Sequence, residues 1–205
     1  MELRHDYRFA DAGPTWANPY LWPIVQRIAD TACLRERRAF DLGCGSGATA
    51  NMLSQRGFEV VGVDPSVRGI ALARNAYPGI RFAVGSAYDD LAATYGTFPL
   101  VVSLEVVEHC FDPRRFARTL YSLVEPGGIA VVSTPYHGYW KNLALAVAGQ
   151  WDSHLTALWD GGHIKFFSVR TLRALLQEAG FQDIEFVRVG RIPPLAKSMI
   201  AIARK

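Results

Sequence analysis

The chain has 205 residues, a length typical of one domain. Half of the residues are hydrophobic and 20% are charged, which supplies enough apolar material for a core and argues against intrinsic disorder. The formal net charge of +3 is too small to indicate nucleic-acid binding, for which a basic stripe is expected. We therefore expect a single domain over residues 1–205 with no nucleic-acid partner.

The start of the chain and its cysteines bear on the compartment. Residues 1–6 include three charged side chains, which is unlike a secretory signal, and no apolar run reaches the ~18–20 residues of a membrane span. The three cysteines, Cys33, Cys44 and Cys110, form no C-x-x-C pair, which argues against a disulfide framework and against a zinc site. These features predict a cytoplasmic protein.

Strand-like and helix-like segments alternate along the chain. The spacing of apolar residues predicts helices over about 19–33, 47–56, 67–76, 113–125 and 169–179. Asp112 is expected to cap the helix over 113–125, which ends at Pro126-Gly127-Gly128. Ser168 is expected to cap the helix over 169–179, which ends at Gly180. Short apolar runs predict strands at 39–42, 60–63, 80–84, 100–104, 129–133, 184–189 and 199–203. This alternation predicts a doubly wound α/β fold, with a mostly parallel sheet and helices on both faces.

A glycine-rich run joins the first predicted strand to the next helix. It reads Asp41-Leu42-Gly43-Cys44-Gly45-Ser46-Gly47, and such a turn lets a ligand approach the backbone beside a helix N-terminus. Asp64 ends the second predicted strand, where a carboxylate can accept hydrogen bonds from ribose hydroxyls. Together the two features predict a nucleoside-containing cofactor.

The same glycines also satisfy a dinucleotide-binding turn, since Gly43, Gly45 and Ala48 fit G-x-G-x-x-A. Two observations weigh against a nicotinamide cofactor. The Asp41 carboxylate would repel a pyrophosphate and suits a ligand amine better. No tyrosine is followed four residues later by lysine, the catalytic pair of short-chain dehydrogenases.

Four segments in this order resemble a known family. They are the glycine run from Asp41 to Gly47, Val61-Gly62-Val63-Asp64-Pro65-Ser66, Gly85-Ser86-Ala87, and Leu104-Glu105-Val106-Val107-Glu108-His109. Over roughly residues 37–135 the chain is similar to the class I S-adenosylmethionine-dependent methyltransferases, above all to the group containing the ubiquinone-biosynthesis O-methyltransferases. The resemblance implies S-adenosylmethionine as cofactor and a Rossmann-like, seven-stranded sheet whose last strand is antiparallel.

The resemblance also assigns cofactor contacts residue by residue. It implies that Asp41 holds the ammonium of the cofactor, that the glycines approach its methionine part, and that Asp64 binds the ribose. Ser86 stands where many relatives carry an acidic residue for the adenine amino group, and its hydroxyl is expected to accept that hydrogen bond. The full set is Asp41, Gly43, Gly45, Asp64, Pro65, Ser86, Ala87, Leu104 and Glu105.

A long segment between the fifth predicted strand and the Ser168-capped helix is predicted to bind the acceptor. Residues 136–167 are longer than an ordinary connection and contain three of the five histidines. We interpret them as a substrate-side insertion or lid, in which Tyr136, Tyr139 and Trp140 form ring-stacking walls and Lys165 orients an anionic group. Each of these residues alone has an alternative reading as structural packing.

A hydroxyl acceptor benefits from a general base, and imidazole has a suitable pKa of ~6.5. We rank His137 first because it closely follows a strand, His163 second and His109 third, and catalysis without a histidine base remains an alternative. No metal is expected, although Glu105, Glu108, Asp112 and Asp152 are candidate oxygen ligands.

Two apolar features have more than one interpretation. Trp140 and Trp151 bracket an apolar run, so residues 140–151 suit either a lid helix over a lipophilic acceptor or peripheral contact with a membrane. The aromatic residues near the N-terminus are predicted either to fold over the pocket or to join the core; they are Tyr7, Phe9, Trp16, Tyr20 and Trp22.

The favoured function is transfer of a methyl group from S-adenosylmethionine to a hydroxyl of a small molecule. N- or C-methylation in the same pocket is the first alternative, and a non-catalytic nucleoside-binding module is the second. The sequence leaves the acceptor and the oligomeric state open.

Overall fold

A computed structural model describes residues 9–155, 157–159 and 161–205. Its single sheet contains seven strands in the order β3-β2-β1-β4-β5-β7-β6. The strands are β1 Arg38–Leu42, β2 Glu59–Asp64, β3 Arg81–Val84, β4 Phe98–Leu104, β5 Val124–Pro135, β6 Gln182–Val189 and β7 Ser198–Arg204. β1 to β5 pair in parallel, whereas β7 is antiparallel to both β5 and β6. The predicted fold, including its antiparallel last strand, is confirmed.

Helices cover both faces of the sheet. They are α1 Asn18–Thr31, α2 Ala48–Ser54, α3 Val67–Ala76, α4 Leu91–Tyr95, α5 Pro113–Leu123, α6 Tyr139–Val147, α7 Trp151–Leu155 and α8 Val169–Ala179. The apolar stripes of α1, α2 and α3 pack into one core cluster, and those of α4, α5 and α8 pack into the cluster on the opposite face. None of the helices in the described part of the chain is both long enough and apolar enough to cross a membrane.

Local capping explains why three predicted helix ends were accurate. The Ser168 hydroxyl accepts a hydrogen bond from Thr171 N while the Thr171 hydroxyl accepts one from Ser168 N, and the helix closes at Gly180 with φ +112°. Asp112 Oδ1 accepts from Arg115 N at 3.0 Å and starts α5. These signals act within one turn, so a single sequence reveals them.

Two predicted boundaries were wrong. Pro126-Gly127-Gly128 does not end α5, because α5 stops at Leu123 and β5 begins at once. The glycines are instead held by the distant C-terminal residue, since Gly127 N donates to Lys205 O and Lys205 N donates to Gly128 O. The segment after β5 contains the helices α6 and α7, and α6 covers most of residues 140–151, for which a lid helix was one interpretation.

The order of the strands identifies the edge of the sheet at which a ligand is expected. The chain runs outward from β1 to β3 on one side and from β4 onward on the other, so the order reverses between β1 and β4. In open parallel sheets, ligands bind outside the carboxyl ends of the strands at this reversal. The carboxyl ends of β1, β2, β4 and β5 therefore surround the candidate site.

Candidate active site

The glycine loop follows β1 and depends on left-handed backbone. Gly43, Gly45 and Gly47 have φ values of +80°, +54° and +87°. A side chain at Gly43 would overlap Val106, and one at Gly47 would lie 2.8 Å from the Phe82 ring. The loop thus leaves a bare backbone surface beside the N-terminus of α2, and Gly47 belongs to it although it was absent from the predicted set.

Asp64, at the end of β2, binds the glycine loop. Its Oδ2 accepts a hydrogen bond from Gly45 N at 2.9 Å, and its Oδ1 accepts one from Ser66 N at 2.8 Å. A carboxylate oxygen can accept more than one hydrogen bond, so holding the loop does not by itself prevent Asp64 from binding a ribose hydroxyl. Asp64 therefore orders the loop and faces the same space as the glycines, with Pro65 exposed beside it.

Asp41 is a buried carboxyl below the same loop. It is 2% exposed, and its Oδ2 has no hydrogen-bond partner among the described residues. Burial, followed by repulsion from Asp64, raises the pKa of Asp41 to about 7. An ammonium group placed next to Asp41 would neutralise the ionised form, as predicted for the methionine part of the cofactor.

The N-terminal segment crosses the loop. A Cβ at Gly45 would lie 2.7 Å from the Phe9 ring, and one at Gly69 would lie 3.0 Å from it, so Phe9 packs directly on the loop. The Tyr77 hydroxyl donates to Ala12 O at 2.7 Å and holds the segment there.

The other N-terminal aromatic residues divide between core and surface. Tyr20 and Trp22 pack against the core cluster of α1 to α3, whereas Trp16 is exposed. Tyr7 lies outside the described residues.

The loop after β3 contains the predicted adenine contacts. The Ser86 hydroxyl accepts from Tyr88 N at 3.1 Å, and Ser86 N donates to Asp89 Oδ2 at 2.7 Å. Ala87 packs against the neighbouring core. Asp89 supplies a carboxylate to this loop three residues after the position where many relatives carry one, and the sequence analysis did not identify it.

Glu105 directs its side chain away from the glycine loop. It has φ +56°, a left-handed conformation that is uncommon outside glycine, just after Leu104 ends β4. Its Oε1 accepts from the Ser133 hydroxyl at 2.8 Å and its Oε2 from the Ser198 hydroxyl at 3.2 Å. Burial raises the pKa of Glu105 to about 7. The side chain thus faces β5 and β7, on the side where the acceptor is expected.

Glu108, His109 and His163 form a second cluster. One ligand atom from each side chain lies within 4.8 Å of the others. Glu108 is buried with no hydrogen-bond partner for either carboxylate oxygen among the described residues, and His163 Nε2 is 4.0 Å from its Oε1. Burial raises the pKa of Glu108 well above its usual range.

A carboxylate with two imidazoles is a donor set suited to a divalent transition metal. The three residues therefore fit such an ion, which would act there as a Lewis acid toward an acceptor hydroxyl. This arrangement weighs against the expectation that no metal is used. Of the four candidate ligands that the sequence suggested, Glu108 belongs to this cluster, and Asp112 caps α5.

The predicted histidine bases fall into two groups. His137 lies beside His154 and Phe166, with ring centroids 5.7 and 5.0 Å away, whereas His109 and His163 are 4.9 Å apart. Burial is the main cause that lowers the pKa of His137 to about 4, that of His163 to about 4, and that of His109 below its usual value. All three are consequently weaker bases at neutral pH than free imidazole.

The predicted aromatic walls do not share one environment. Tyr136 is buried at the end of β5, but Tyr139 and Trp140 are 74% and 65% exposed on α6. Lys165 is partly buried, and its backbone N donates to Glu108 O at 3.0 Å. Tyr136 thus lies in the interior, Lys165 is held beside Glu108 through its backbone, and the two α6 aromatics face outward.

Lys141 is a residue that the sequence analysis missed. It lies on α6 and is 8% exposed, and its Nζ donates to Lys197 O at 3.3 Å. Burial, followed by the charge of Arg191, lowers the pKa of Lys141 to about 8. A lysine inside an apolar run was the available signal, but its inward direction depends on how α6 packs.

Buried polar atoms without a hydrogen-bond partner gather at this edge of the sheet. Such atoms are rare in folded proteins, and each calls for a ligand, a water or a functional role. Among the described residues, all of them except Arg56 Nε are at this edge or on the lid: the Tyr20 hydroxyl, Asp41 Oδ2, both oxygens of Glu108, Thr134 Oγ1 and Asn142 Oδ1. These unpartnered atoms therefore mark this edge of the sheet as the candidate site for polar ligand groups.

Comparisons with known proteins agree with this arrangement. A family model described as a methyltransferase domain matches residues 15–185. The ubiquinone biosynthesis O-methyltransferase of Azorhizobium caulinodans is 35% identical over 161 residues, which cover 74% of this chain and 61% of that protein. The protein of the same name from Cereibacter sphaeroides is 31% identical over 156 residues, covering 72% and 61%. The chain thus spans about six tenths of the length of these curated relatives.

Solved structures share the fold at lower identity. An S-adenosylmethionine-dependent methyltransferase from Mesorhizobium loti superposes with a TM-score of 0.69 at 22% identity, covering 90% of this chain and 97% of that one. Magnesium protoporphyrin IX methyltransferase from Synechocystis, solved with bound SAH, superposes with a TM-score of 0.69 at 18% identity, covering 90% and 81%. On the family match and this shared sheet, the chain belongs to the class I S-adenosylmethionine-dependent methyltransferases.

Proposed function

We propose that the protein transfers the methyl group of S-adenosylmethionine to a hydroxyl oxygen of a small molecule. The observation that carries the proposal is the pairing of a bare glycine loop, flanked by Asp41 and Asp64, with buried unpartnered polar groups on the adjoining side of the sheet. The relatives from Azorhizobium caulinodans and Cereibacter sphaeroides, both named O-methyltransferases, support oxygen as the acceptor atom.

The chain's own residues act mainly by binding and orientation. When bound, the cofactor supplies an activated methyl group on a sulfonium. Asp41 holds the cofactor ammonium, the backbone of Gly43 and Gly45 lies along the methionine part, and Asp64 accepts from the ribose. Alignment of a donor and an acceptor can contribute ~7–11 kcal/mol without further chemistry.

The acceptor hydroxyl must also lose a proton. If a histidine takes this proton, the proposed order is His137, His163 and His109. Their lowered pKa values mean that they stay neutral and able to accept a proton, although with a small driving force. Tyr136 and Lys165 are proposed to contact the acceptor from the lid.

The test is a screen of acceptor pools with methyl-labelled cofactor, followed by identification of the methylated atom. We expect the label in an ether, and a nitrogen- or carbon-linked label would indicate one of the alternative reactions. Tight cofactor binding without labelling of any pool would instead support a non-catalytic nucleoside-binding module.

The outer face of the lid supports a second proposal, peripheral contact with a membrane through residues 140–151. Trp140, Leu143, Val147 and Trp151 are exposed there, with Val147 82% exposed. Apolar residues flanked by tryptophan suit the interface between lipid headgroups and acyl chains. In this proposal the protein is cytoplasmic and meets a lipophilic acceptor at the membrane surface.

Sedimentation with anionic phospholipid vesicles tests this contact. Val147→Asp should reduce the bound fraction several-fold, because a carboxylate resists transfer out of water. Phe111→Asp is the matched control, since Phe111 is as exposed but lies before α5. Equal loss in both variants, or in neither, would argue against contact through residues 140–151.

A further inference from the structure

The lid helix α6 is turned with its apolar residues outward. Tyr139, Trp140, Leu143 and Val147 are exposed, whereas among the described residues of α6 only Lys141 is buried. Long lysine side chains usually carry their ammonium to water, and burying that charge is costly. An apolar residue at this position would avoid that cost, so the inward direction of Lys141 indicates a specific role for its amine.

The hydrogen bond from Lys141 Nζ to Lys197 O attaches α6, but it does not by itself explain why this residue is a lysine. The Lys141 ammonium has three N–H donors, and the described residues supply one acceptor, Lys197 O at 3.3 Å. A methionine would fill the same space at this position without a buried charge. Donor capacity is therefore left over on Lys141, and the Thr134 hydroxyl and both Glu108 oxygens, at the ends of β5 and β4, also have no hydrogen-bond partner among the described residues.

The charged surroundings of Lys141 are mixed. The charge of Glu105, just after β4, raises the pKa of Lys141. Ser133 on β5 and Ser198 on β7 donate hydrogen bonds to the Glu105 carboxylate and hold it in place. Basic groups face Lys141 from three other elements, namely His137 before α6, His154 in α7 and Arg191 between β6 and β7. His163, on the lid loop, adds a weaker influence. The site can therefore hold either the ammonium or the free amine near neutral pH.

We propose that Lys141 is a catalytic residue that takes the proton of the acceptor hydroxyl and then holds the resulting oxyanion. This rests on the proposed O-methyl transfer. The free amine of Lys141 accepts the proton and becomes an ammonium, and the acceptor oxygen becomes an anion. The oxygen lone pair then forms the bond to the methyl group while the carbon–sulfur bond breaks, which leaves a neutral thioether. The ammonium afterwards releases its proton to solvent.

The basicity of Lys141 decides which probe can test this role. An amine with a pKa of about 8 can deprotonate a phenol or an enol, whose hydroxyl is only moderately less acidic, but not an alkyl alcohol. Glu105 is a positioning residue in this scheme, because its carboxylate stabilises the ammonium and does not itself touch the acceptor. A phenolic probe, bound with its acidic oxygen at Lys141, is therefore suited to test this role.

The test compares Lys141→Met and Lys141→Arg with Lys205→Met. Lys205 is a matched control because its Nζ also donates to a backbone carbonyl, Tyr121 O at 2.8 Å, away from the site. Catechol and 4-nitrocatechol serve as probes, since the nitro compound is already largely ionised at neutral pH. Its colour also reports ionisation, so its apparent pKa can be read in complexes saturated with S-adenosylhomocysteine.

We expect Lys141→Met to lower kcat with catechol by ~10²-fold or more, with much less loss for 4-nitrocatechol, while cofactor affinity stays unchanged. Bound to the wild type or to Lys141→Arg, 4-nitrocatechol should show an apparent pKa lower by ~1 unit or more, and Lys141→Met should lose this effect. Lys141→Arg should fail to restore catechol turnover, because guanidinium has no accessible base form.

Equal loss with both acceptors would mean that Lys141 only attaches the lid, and unchanged turnover would also overturn the inference. If Lys141→Met does not fold, Lys141→Arg with catechol and the colour of the wild-type complex still decide. If the wild type methylates only nitrogen or carbon, the proposed O-methyl transfer fails. In that case the lowered apparent pKa of bound 4-nitrocatechol reports separately whether Lys141 holds an oxyanion.

Discussion

Replacing Asp41 with asparagine removes a buried carboxyl while keeping its shape. The pKa of Asp41 is raised from 3.8 to about 7, mainly by burial and then by repulsion from Asp64. At 1.36 kcal/mol per pKa unit, this corresponds to a destabilisation of about 4 kcal/mol when the group is ionised in the folded state. Asparagine carries no charge at any pH, so the variant should avoid this cost.

The pH window follows from the sign of the shift. Because the folded state binds the proton of Asp41 more tightly than the unfolded state does, its contribution is fully favourable below pH 3.8 and is lost as the pH rises to about 7. Urea unfolding of the ligand-free protein should therefore show no gain for Asp41→Asn near pH 4. The gain should grow between pH 4 and 7 and level off at up to about 4 kcal/mol above pH 7.

Asp41→Asn should weaken cofactor binding, whereas it should raise the stability of the ligand-free protein. An ammonium beside Asp41 favours the ionised form, so the affinity of the wild type for S-adenosylmethionine should rise from pH 5 to 7, with proton release detectable by calorimetry in buffers of different ionisation heat. Asp41→Asn should bind more weakly and without this pH dependence. Asp183→Asn, at an exposed position on β6, is the control. A stability difference that is the same at pH 5 and pH 8 would refute the reasoning.

Three further predictions concern other parts of the site and fold. Asp64→Ala should weaken S-adenosylmethionine binding about ten- to a hundred-fold by calorimetry, since it removes an ionised acceptor worth ~1.5–3 kcal/mol that also accepts from Gly45 N and Ser66 N. Unchanged affinity would mean that the ribose is held elsewhere. Ser168→Ala should lower the free energy of unfolding by ~1 kcal/mol in urea titrations with turnover unchanged, because it removes the capping box of α8. If the cluster of Glu108, His109 and His163 binds a metal, a chelator should abolish turnover and a divalent ion should restore it. His163→Ala should then lower the affinity for the metal. Turnover that is insensitive to chelator would support a reaction without metal.

The cofactor side of the site could be predicted from sequence because its signals are local. The glycines after β1 and the carboxylate at the end of β2 occupy a strand–turn–helix unit whose geometry depends on few distant contacts. The caps at Asp112 and Ser168 are local in the same way. Each of these elements appears in the structure where the spacing predicted it.

The acceptor side could not be predicted to the same depth, because it depends on how separate segments pack. The apolar run of α6 does not reveal which side of the helix faces the rest of the protein. The inward direction of Lys141 and the outward direction of Trp140 were therefore not apparent from the sequence. The approach of His163 to Glu108 joins residues that lie 55 positions apart. Pro126-Gly127-Gly128 likewise reads as a helix end until its pairing with Lys205 is seen.

The position of β7 has a consequence for the order in which the two halves of the site form. β7 lies between β5 and β6 although it follows both in the chain, so β6 has no neighbour in the sheet until β7 has been synthesised and inserted. Ser198, which holds Glu105, is on β7, whereas the glycine loop and Asp64 need only β1 and β2. Pairings between distant segments form more slowly than local ones. During synthesis on the ribosome, the nucleoside-binding half should therefore be able to order first, and the half that selects the acceptor should be completed only when β7 closes the gap.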